Sequence, residues 1–189
     1  MSRFRRLPTE MSEVALIEPR VHGDERGFLV ETFRDAEMAE LGVDLDFVQE
    51  NHSRSGARVL RGIHVQPGQA KLVRCARGRI FDVAVDLRPD SPTYKRWEGY
   101  ELDDIEHRQL LVPAGFGHGF CVLSDISDVL YRVSTYYDPD VEWGVAWDDP
   151  EIAVDWPMRD PVLSDRDRSA SSLADLTGSG LGSTQGNPQ

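Results

Sequence analysis

Along much of this chain, apolar and polar residues alternate with the two-residue period of a strand. The runs are short and broken by glycine, proline and aspartate. From Arg79 to Leu87, Phe81, Val83, Val85 and Leu87 fall on one side, and Ile80, Asp82, Ala84 and Asp86 on the other. From Asp128 to Tyr136, Val129, Tyr131, Val133 and Thr135 share a face. Phe28 to Phe33 is rich in β-formers, and Leu110 to Val112 and Gly119 to Leu123 are shorter apolar runs. Arg88-Pro89-Asp90-Ser91-Pro92 reads as a turn between two of them. One helix is marked: Asp35 stands in N-cap position, Ala36 to Leu41 are mostly helix formers, and Gly42 is a C-terminal stop. Many short strands predict an all-β sandwich or jelly-roll barrel. The helices are too few to be crossovers of a parallel sheet.

Length and composition narrow this picture. At 189 residues the chain has room for one domain with a sizeable core. Thr177 to Gln189 is mostly Gly, Ser, Thr, Gln, Asn and Pro, and cannot bury enough apolar surface to offset its ordering entropy. The expectation is one domain over 1–170 and a disordered tail over 171–189. A net charge of −12 argues against general nucleic-acid binding, but leaves room for an anionic small molecule held by a local arginine cluster. No apolar run has the length of a membrane span, and the basic start Met-Ser-Arg-Phe-Arg-Arg is not followed by an apolar stretch. Cys75 and Cys121 sit among apolar residues and read as small buried hydrophobes. A cytoplasmic protein is expected.

Three segments could carry chemistry. In Val59-Leu60-Arg61-Gly62-Ile63-His64-Val65-Gln66, strict alternation puts Leu60, Gly62 and His64 on one face and Arg61 and Ile63 on the other. His64 is then either a hydrogen-bonded core histidine or a base in a pocket, and spacing leaves both open. In Pro113-Ala114-Gly115-Phe116-Gly117-His118-Gly119-Phe120, three glycines frame a histidine, which suits a tight turn as well as a ligand site. Tyr131, with Tyr136 and Tyr137 after it, reads on its own as core with its hydroxyl satisfied. Metal-holding jelly rolls of the cupin type often use a His-x-His pair. Here the position two after His64 is Gln66, and His22, His52 and His107 are scattered, so no metal is expected.

These segments carry a resemblance. Asp24-Glu25-Arg26-Gly27-Phe28, Phe47-Val48-Gln49-Glu50-Asn51-His52-Ser53, Val59 to His64, Lys71-Leu72-Val73 and Phe81 to Arg88 are among them. So are Ser91-Pro92-Thr93, Gly115 to Phe120, Trp147-Asp148-Asp149-Pro150 and Asp155-Trp156-Pro157. Together they are similar to the dTDP-4-dehydrorhamnose 3,5-epimerase family, over about Glu13 to Ser169. The resemblance implies an all-β, cupin-like jelly-roll barrel with a few short helices, and a homodimer that exchanges N-terminal strands. It implies a nucleoside diphosphate 4-keto-6-deoxy sugar as substrate and no cofactor. By the same resemblance His64 is the base, Asp167 its orienting carboxylate, Lys71 the stabiliser of charge on the C4 oxygen and Tyr131 the general acid. Tyr137 would be a second active-site tyrosine, and His118 would contact the sugar or phosphate. Phe28, Glu31, Gln49 and Asn51 match pocket positions, Arg61 would meet the pyrophosphate, and Arg26 would arrive from the partner subunit.

For Arg61 to reach the side of His64, a bulge or twist at Gly62, or a tilted pocket, must break the strict alternation. The chain also departs from the family pattern. Val65 stands where Tyr or Phe is common, the loop from His64 to Lys71 is short, and Arg166, a substrate-side candidate, replaces a lysine beside Asp167. These departures leave the reaction class intact and open the substrate and the number of centres inverted. The competing readings are a monofunctional 3- or 5-epimerase, a metal-dependent cupin enzyme and a non-catalytic sugar-nucleotide binder.

Overall fold

The computed structural model describes residues 2–178. Two antiparallel sheets carry the fold. The first has the order β1 (Phe4–Leu7), β2 (Ala15–Pro19), β10 (Gln109–Val112), β7 (Lys71–Arg77), β12 (Ile126–Val133), β5 (Gln49–Gly56). The second has the order β13 (Trp143–Gly144), β6 (Leu60–Val65), β11 (Phe116–Val122), β8 (Arg79–Asp86), β9 (Trp97–Asp103). A separate ribbon pairs β3 (Val21–Asp24) with β4 (Gly27–Val30). The helices are α1 (Asp35–Glu40), α2 (Asp165–Arg168) and α3 (Leu173–Gly178). The all-β, cupin-like expectation holds, as two separate hydrogen-bonded sheets rather than one continuous barrel wall.

The alternation of β8 explains how the sheets are covered. Ile80 and Ala84 point into an inter-sheet core with Val73, Leu110, Phe116, Phe120 and Val129. Val83, Val85 and Leu87 face a second core built from Leu60, Ile63 and the C-terminal residues Val145, Ile152, Trp156, Leu173 and Leu176. Both faces of β8 are therefore buried, and each fully buried aliphatic side chain contributes roughly 1.5–3 kcal/mol. Asp82 shares the inward face of Ile80 and Ala84 and is wholly buried.

Several expectations shift. Asp35 lies inside the first turn of α1; the N-cap is Arg34, which makes no side-chain cap bond. The strand expected over Phe28–Phe33 ends at Val30 and pairs only with β3. The strand expected to reach Tyr136 ends at Val133. Part of the expected tail is helix: Leu173 and Leu176 of α3 are buried in the second core. The signal was present in Ser172-Leu173-Ala174-Asp175, where Ser172 Oγ accepts from Asp175 N at 3.2 Å and donates to its Oδ2 at 2.6 Å. Residues 179–189 of that tail lie outside the described residues.

Candidate active site

The site is a cavity of about 280 Å³ lined from both sheets: Arg61 and His64 of β6 and His118 of β11 on one, Lys71 of β7 and Tyr131 of β12 on the other. Strict alternation would separate Arg61 from His64. The pairing between β6 and β11 steps from His64↔His118 to Arg61↔Phe120, three residues against two, so β6 carries one extra residue. The extra residue turns both side chains to the cavity. Gly62 makes it possible: its φ is +129°, and a Cβ there would lie 2.4 Å from Gly119 Cα.

His64 Nε2–H donates to Asp167 Oδ1 at 2.6 Å. Nδ1 then carries the lone pair and has no protein partner among the described residues. The His64 side chain is 26% exposed and Asp167 only 5%, so the imidazole is reachable and its carboxylate is not. Asp167 is placed by two local devices. A parallel bridge between Val59 and Val162 runs the C-terminal segment beside the start of β6. Ser164 then caps α2, accepting from Asp167 N at 3.1 Å and donating to Oδ2 at 2.8 Å. Burial pushes the Asp167 carboxyl up, but the His64 bond and charge, Ser164 and Arg166 outweigh it and hold it below its ordinary value.

Lys71 is buried, and desolvation lowers its pKa to about 8 against the opposing fields of Glu142 and Asp82. Tyr131 is raised, first by desolvation and next by Glu142, so its phenol is kept protonated. Asn51, directly across from Tyr131 in the β5–β12 register, is its hydrogen-bond partner. His118 Nε2 contacts Asp82 Oδ1 at 2.8 Å. Arg61 Nε donates to Ser55 Oγ at 3.0 Å, and Arg166 pairs with Glu142 at 2.6 Å and also meets the Tyr137 side chain. Arg61, Lys71 and Arg166 make the cavity locally cationic in an acidic protein. That is the arrangement an anionic ligand requires. Among the described residues, no group of three or more His, Cys, Asp or Glu is placed to hold a metal ion.

His64, Lys71, Asn51, Arg61, His118, Tyr131, Tyr137 and Arg166 thus come together, with Asp167 behind His64. Gln49 reaches the cavity only indirectly, bonded to Asn51 Oδ1 and to the backbone N–H of Tyr137. Arg26, Phe28 and Glu31 do not line it. Arg26 pairs with Asp24 at the ribbon tip, Phe28 packs on His107 with ring centres 4.6 Å apart, and Glu31 pairs with Arg34 and Arg3. Among the described residues the ribbon's strand pairing is only β3 with β4, and its ring contact to His107 leads away from the pocket. Sequence reasoning missed Glu142, Gln69 and Ser53, which line the cavity, and Asp82 and Ser164, which hold its histidine and carboxylate. Asp82 had only part of a signal: it shares its side of the strand with Ile80, Ala84 and Asp86, opposite the apolar face, and its burial follows only from the stacking of the sheets. Glu142 had none, because its loop has no periodicity.

The family model described as dTDP-4-dehydrorhamnose 3,5-epimerase matches residues 8–175. The chain belongs to the dTDP-4-dehydrorhamnose 3,5-epimerase family. It is 46% identical over 173 residues to the dTDP-4-dehydrorhamnose 3,5-epimerase of Escherichia coli K12, covering 89% of this chain and 94% of that protein. It is 45% identical over 182 residues to the dTDP-4-dehydrorhamnose 3-epimerase of Streptomyces niveus, covering 94% of this chain and 88% of that protein. Its fold superposes with a TM-score of 0.89 on the Legionella pneumophila dTDP-6-deoxy-D-glucose-3,5-epimerase solved with dTDP-4-keto-L-rhamnose. That match has 43% identity and covers 94% of this chain and 96% of the other. The match carries the family's reaction class, epimerisation, to a cavity that holds a paired histidine, a buried lysine and a protonated tyrosine.

Proposed function

We propose that this chain epimerises a dTDP-4-keto-6-deoxy sugar at C3 and C5, without a cofactor, through enolate intermediates. The observation that carries the reading is the mounting of His64 and Tyr131 on different sheets, with Lys71 on the strand next to Tyr131's, two residues from its partner Val73. Both hydrogens sit next to the C4 ketone, so removing either gives an enolate and one base serves two centres. His64 Nδ1 takes the proton, and Asp167 fixes the tautomer and stabilises the imidazolium that forms. The Lys71 ammonium meets the developing charge on the C4 oxygen. Tyr131 returns a proton from the other wall, and delivery to the opposite face inverts the centre. Arg61 and Arg166 supply the cationic side that a pyrophosphate needs, with His118 in the wall of the same cavity.

The same reading makes the active unit a homodimer. In it the β3–β4 ribbon of one copy brings Arg26, Phe28 and Glu31 to the pocket of the other, with N-terminal strands exchanged. What supports this is exposure: Phe28 is 58% and Leu29 75% exposed, and β5 is an open edge of the first sheet. It also makes the protein cytoplasmic, in keeping with two buried, unpaired cysteines. No helix among the described residues is long and apolar enough to cross a membrane.

A second reading, inversion at C3 alone, is favoured by the 3-epimerase name of the Streptomyces niveus relative. Solvent-deuterium exchange followed by NMR on dTDP-4-keto-6-deoxyglucose separates the two. Incorporation at C3 and C5 is expected, and incorporation at C3 alone selects the second reading. His64→Asn is expected to lower exchange at both carbons about 10²- to 10⁴-fold; near-full exchange in that variant removes His64 as the base. Tyr131→Phe is expected to harm epimerisation more than exchange.

A further inference from the structure

Gln66 stands where a metal-holding jelly roll would carry a second histidine, and the proposed chemistry gives it no task. It does not line the cavity, yet it is buried. Gln66-Pro67-Gly68-Gln69 forms a tight turn, with Gln69 N donating to Gln66 O at 3.1 Å and Gly68 at φ +73°. Proline second and a left-handed glycine third is the type II pattern. The turn brings both carboxamides to one target, the chain just after β12. Gln66 Nε2 donates to Thr135 Oγ1 at 3.1 Å and to Tyr136 O at 2.8 Å, and Gln66 Oε1 accepts from Asp138 N at 2.9 Å. Gln69 Nε2 adds a bond to Thr135 O at 3.0 Å.

The bonds of Gln66 therefore straddle Tyr137, gripping the backbone on either side of it. The N–H of Tyr137 itself is held by Gln49. Tyr137 lines the pocket rim with Glu142 and Arg166 and is half exposed; its hydroxyl meets Arg166, while its backbone is placed by the glutamine bonds. Holding both flanks needs a side chain that donates and accepts at the same time, which a carboxamide does and an ionised carboxylate or an aliphatic group does not.

We propose that Gln66 is a positioning residue that fixes Tyr137 at the pocket rim and so sets the ground-state affinity for the sugar nucleotide. This rests on reading the cavity as the epimerase site. Gln66 touches neither His64's carboxylate nor Tyr131, so the proton transfers proceed without it once substrate is held.

The test is a double-mutant cycle read in steady-state kinetics with dTDP-4-keto-6-deoxyglucose. Gln66→Leu is expected to raise KM about tenfold and change kcat less than about twofold, the pattern of lost uniform binding. In a Tyr137→Ala background the same change is expected to add nothing, because the ring it positions is gone. An unchanged KM, a loss confined to kcat, or full additivity with Tyr137→Ala overturns the proposal. If Gln66→Leu does not fold, Thr135→Val removes the hydroxyl that both glutamines use. A smaller KM rise, again absent with Tyr137→Ala, is expected, and no change in KM overturns it. If the wild-type protein does not turn over, the epimerase reading fails by itself, and the clamp is read as dTDP affinity by calorimetry. An equal Kd for wild type and Gln66→Leu then overturns it.

Discussion

His64–Asp167 and His118–Asp82 are the same chemical pair built twice, side by side, since the two histidines are cross-strand partners in β6 and β11. They differ in where the carboxylate comes from and in what it leaves open. Asp167 arrives from a helix cap 103 residues further along the chain, and both its oxygens are bonded. Asp82 comes from the adjacent strand β8, is wholly buried, and keeps one oxygen without a hydrogen-bond partner among the described residues. The His64 side chain is 26% exposed and that of His118 only 9%. A carboxylate orients an imidazole in both settings, but only the reachable imidazole can exchange a proton with a substrate. The second pair is locked into the sheet, and its charge acts at a distance.

The sharpest way to break this comparison is to neutralise each carboxylate in turn. Asp167→Asn presents an amide to Nε2 and loses the charge that stabilises the imidazolium. Deuterium exchange at the sugar carbons is expected to fall about 10²- to 10⁴-fold while the protein stays folded. Asp82→Asn is expected to lower exchange less than tenfold, and to cost about 1–3 kcal/mol of stability in denaturant unfolding, because it disturbs a buried hydrogen bond. Equal losses of exchange in the two variants would mean that both histidines handle the proton.

A smaller effect separates the pairs by pH. Lys71 has its pKa lowered to about 8, and the carboxylates of Glu142 and Asp82 keep it from falling further. The ammonium form stabilises the enolate, so the rate is expected to hold below that value and to decline about tenfold per unit above it as the proton leaves. Removing the charge in Asp82→Asn takes away part of the field that favours the ammonium form. The alkaline limb of kcat against pH is then expected to begin at lower pH. A limb that stays in place would confine Asp82 to holding His118.

The contrast between the pairs also marks what could be read from the residues alone. The alternation in Arg79–Leu87 was enough to place β8 and the two directions of its side chains, because register fixes side-chain direction; that both faces are buried follows only from the second core under the C-terminal segment. The same alternation put Asp82 with Ile80, Ala84 and Asp86 on the more polar side, so nothing in the pattern marked the second pair as buried. The need for a break at Gly62 followed from requiring Arg61 and His64 in one pocket, and the pairing of β6 with β11 supplies it. Asp167 was legible only through the family resemblance, since no local pattern joins residues so far apart in the chain. The ribbon residues Arg26, Phe28 and Glu31 were legible as pocket residues only on the same ground, and within one chain they lie away from it. Tyr137's bracing was hidden because two glutamines in a turn look like ordinary loop polarity until the facing backbone is known. The helix after Ser171 is obscured by the Gly- and Ser-rich composition around it, although the Ser172 hydroxyl caps it through Asp175.

The smallest effect is the most discriminating about how the first pair is held. Ser164 and Ser172 make the same cap, each bonding the backbone and carboxylate of the aspartate three residues on. Replacing either by alanine is expected to cost about 1 kcal/mol in thermal or denaturant unfolding. Only Ser164 holds a carboxylate that carries a histidine. Its loss removes one of the bonds that keep the Asp167 carboxyl below its ordinary value, so that group protonates at a higher pH in the variant. A carboxyl with a lowered folded-state pKa contributes stability above its unfolded value and loses it as the pH falls through the folded one. Ser164→Ala is therefore expected to lose activity at a less acidic pH than wild type, with a few-fold lower rate at neutral pH. Ser172→Ala is expected to keep both the neutral rate and the acid limb. Matching acid limbs in the two variants would show that the cap only ends a helix, and that His64 alone keeps Asp167 in place.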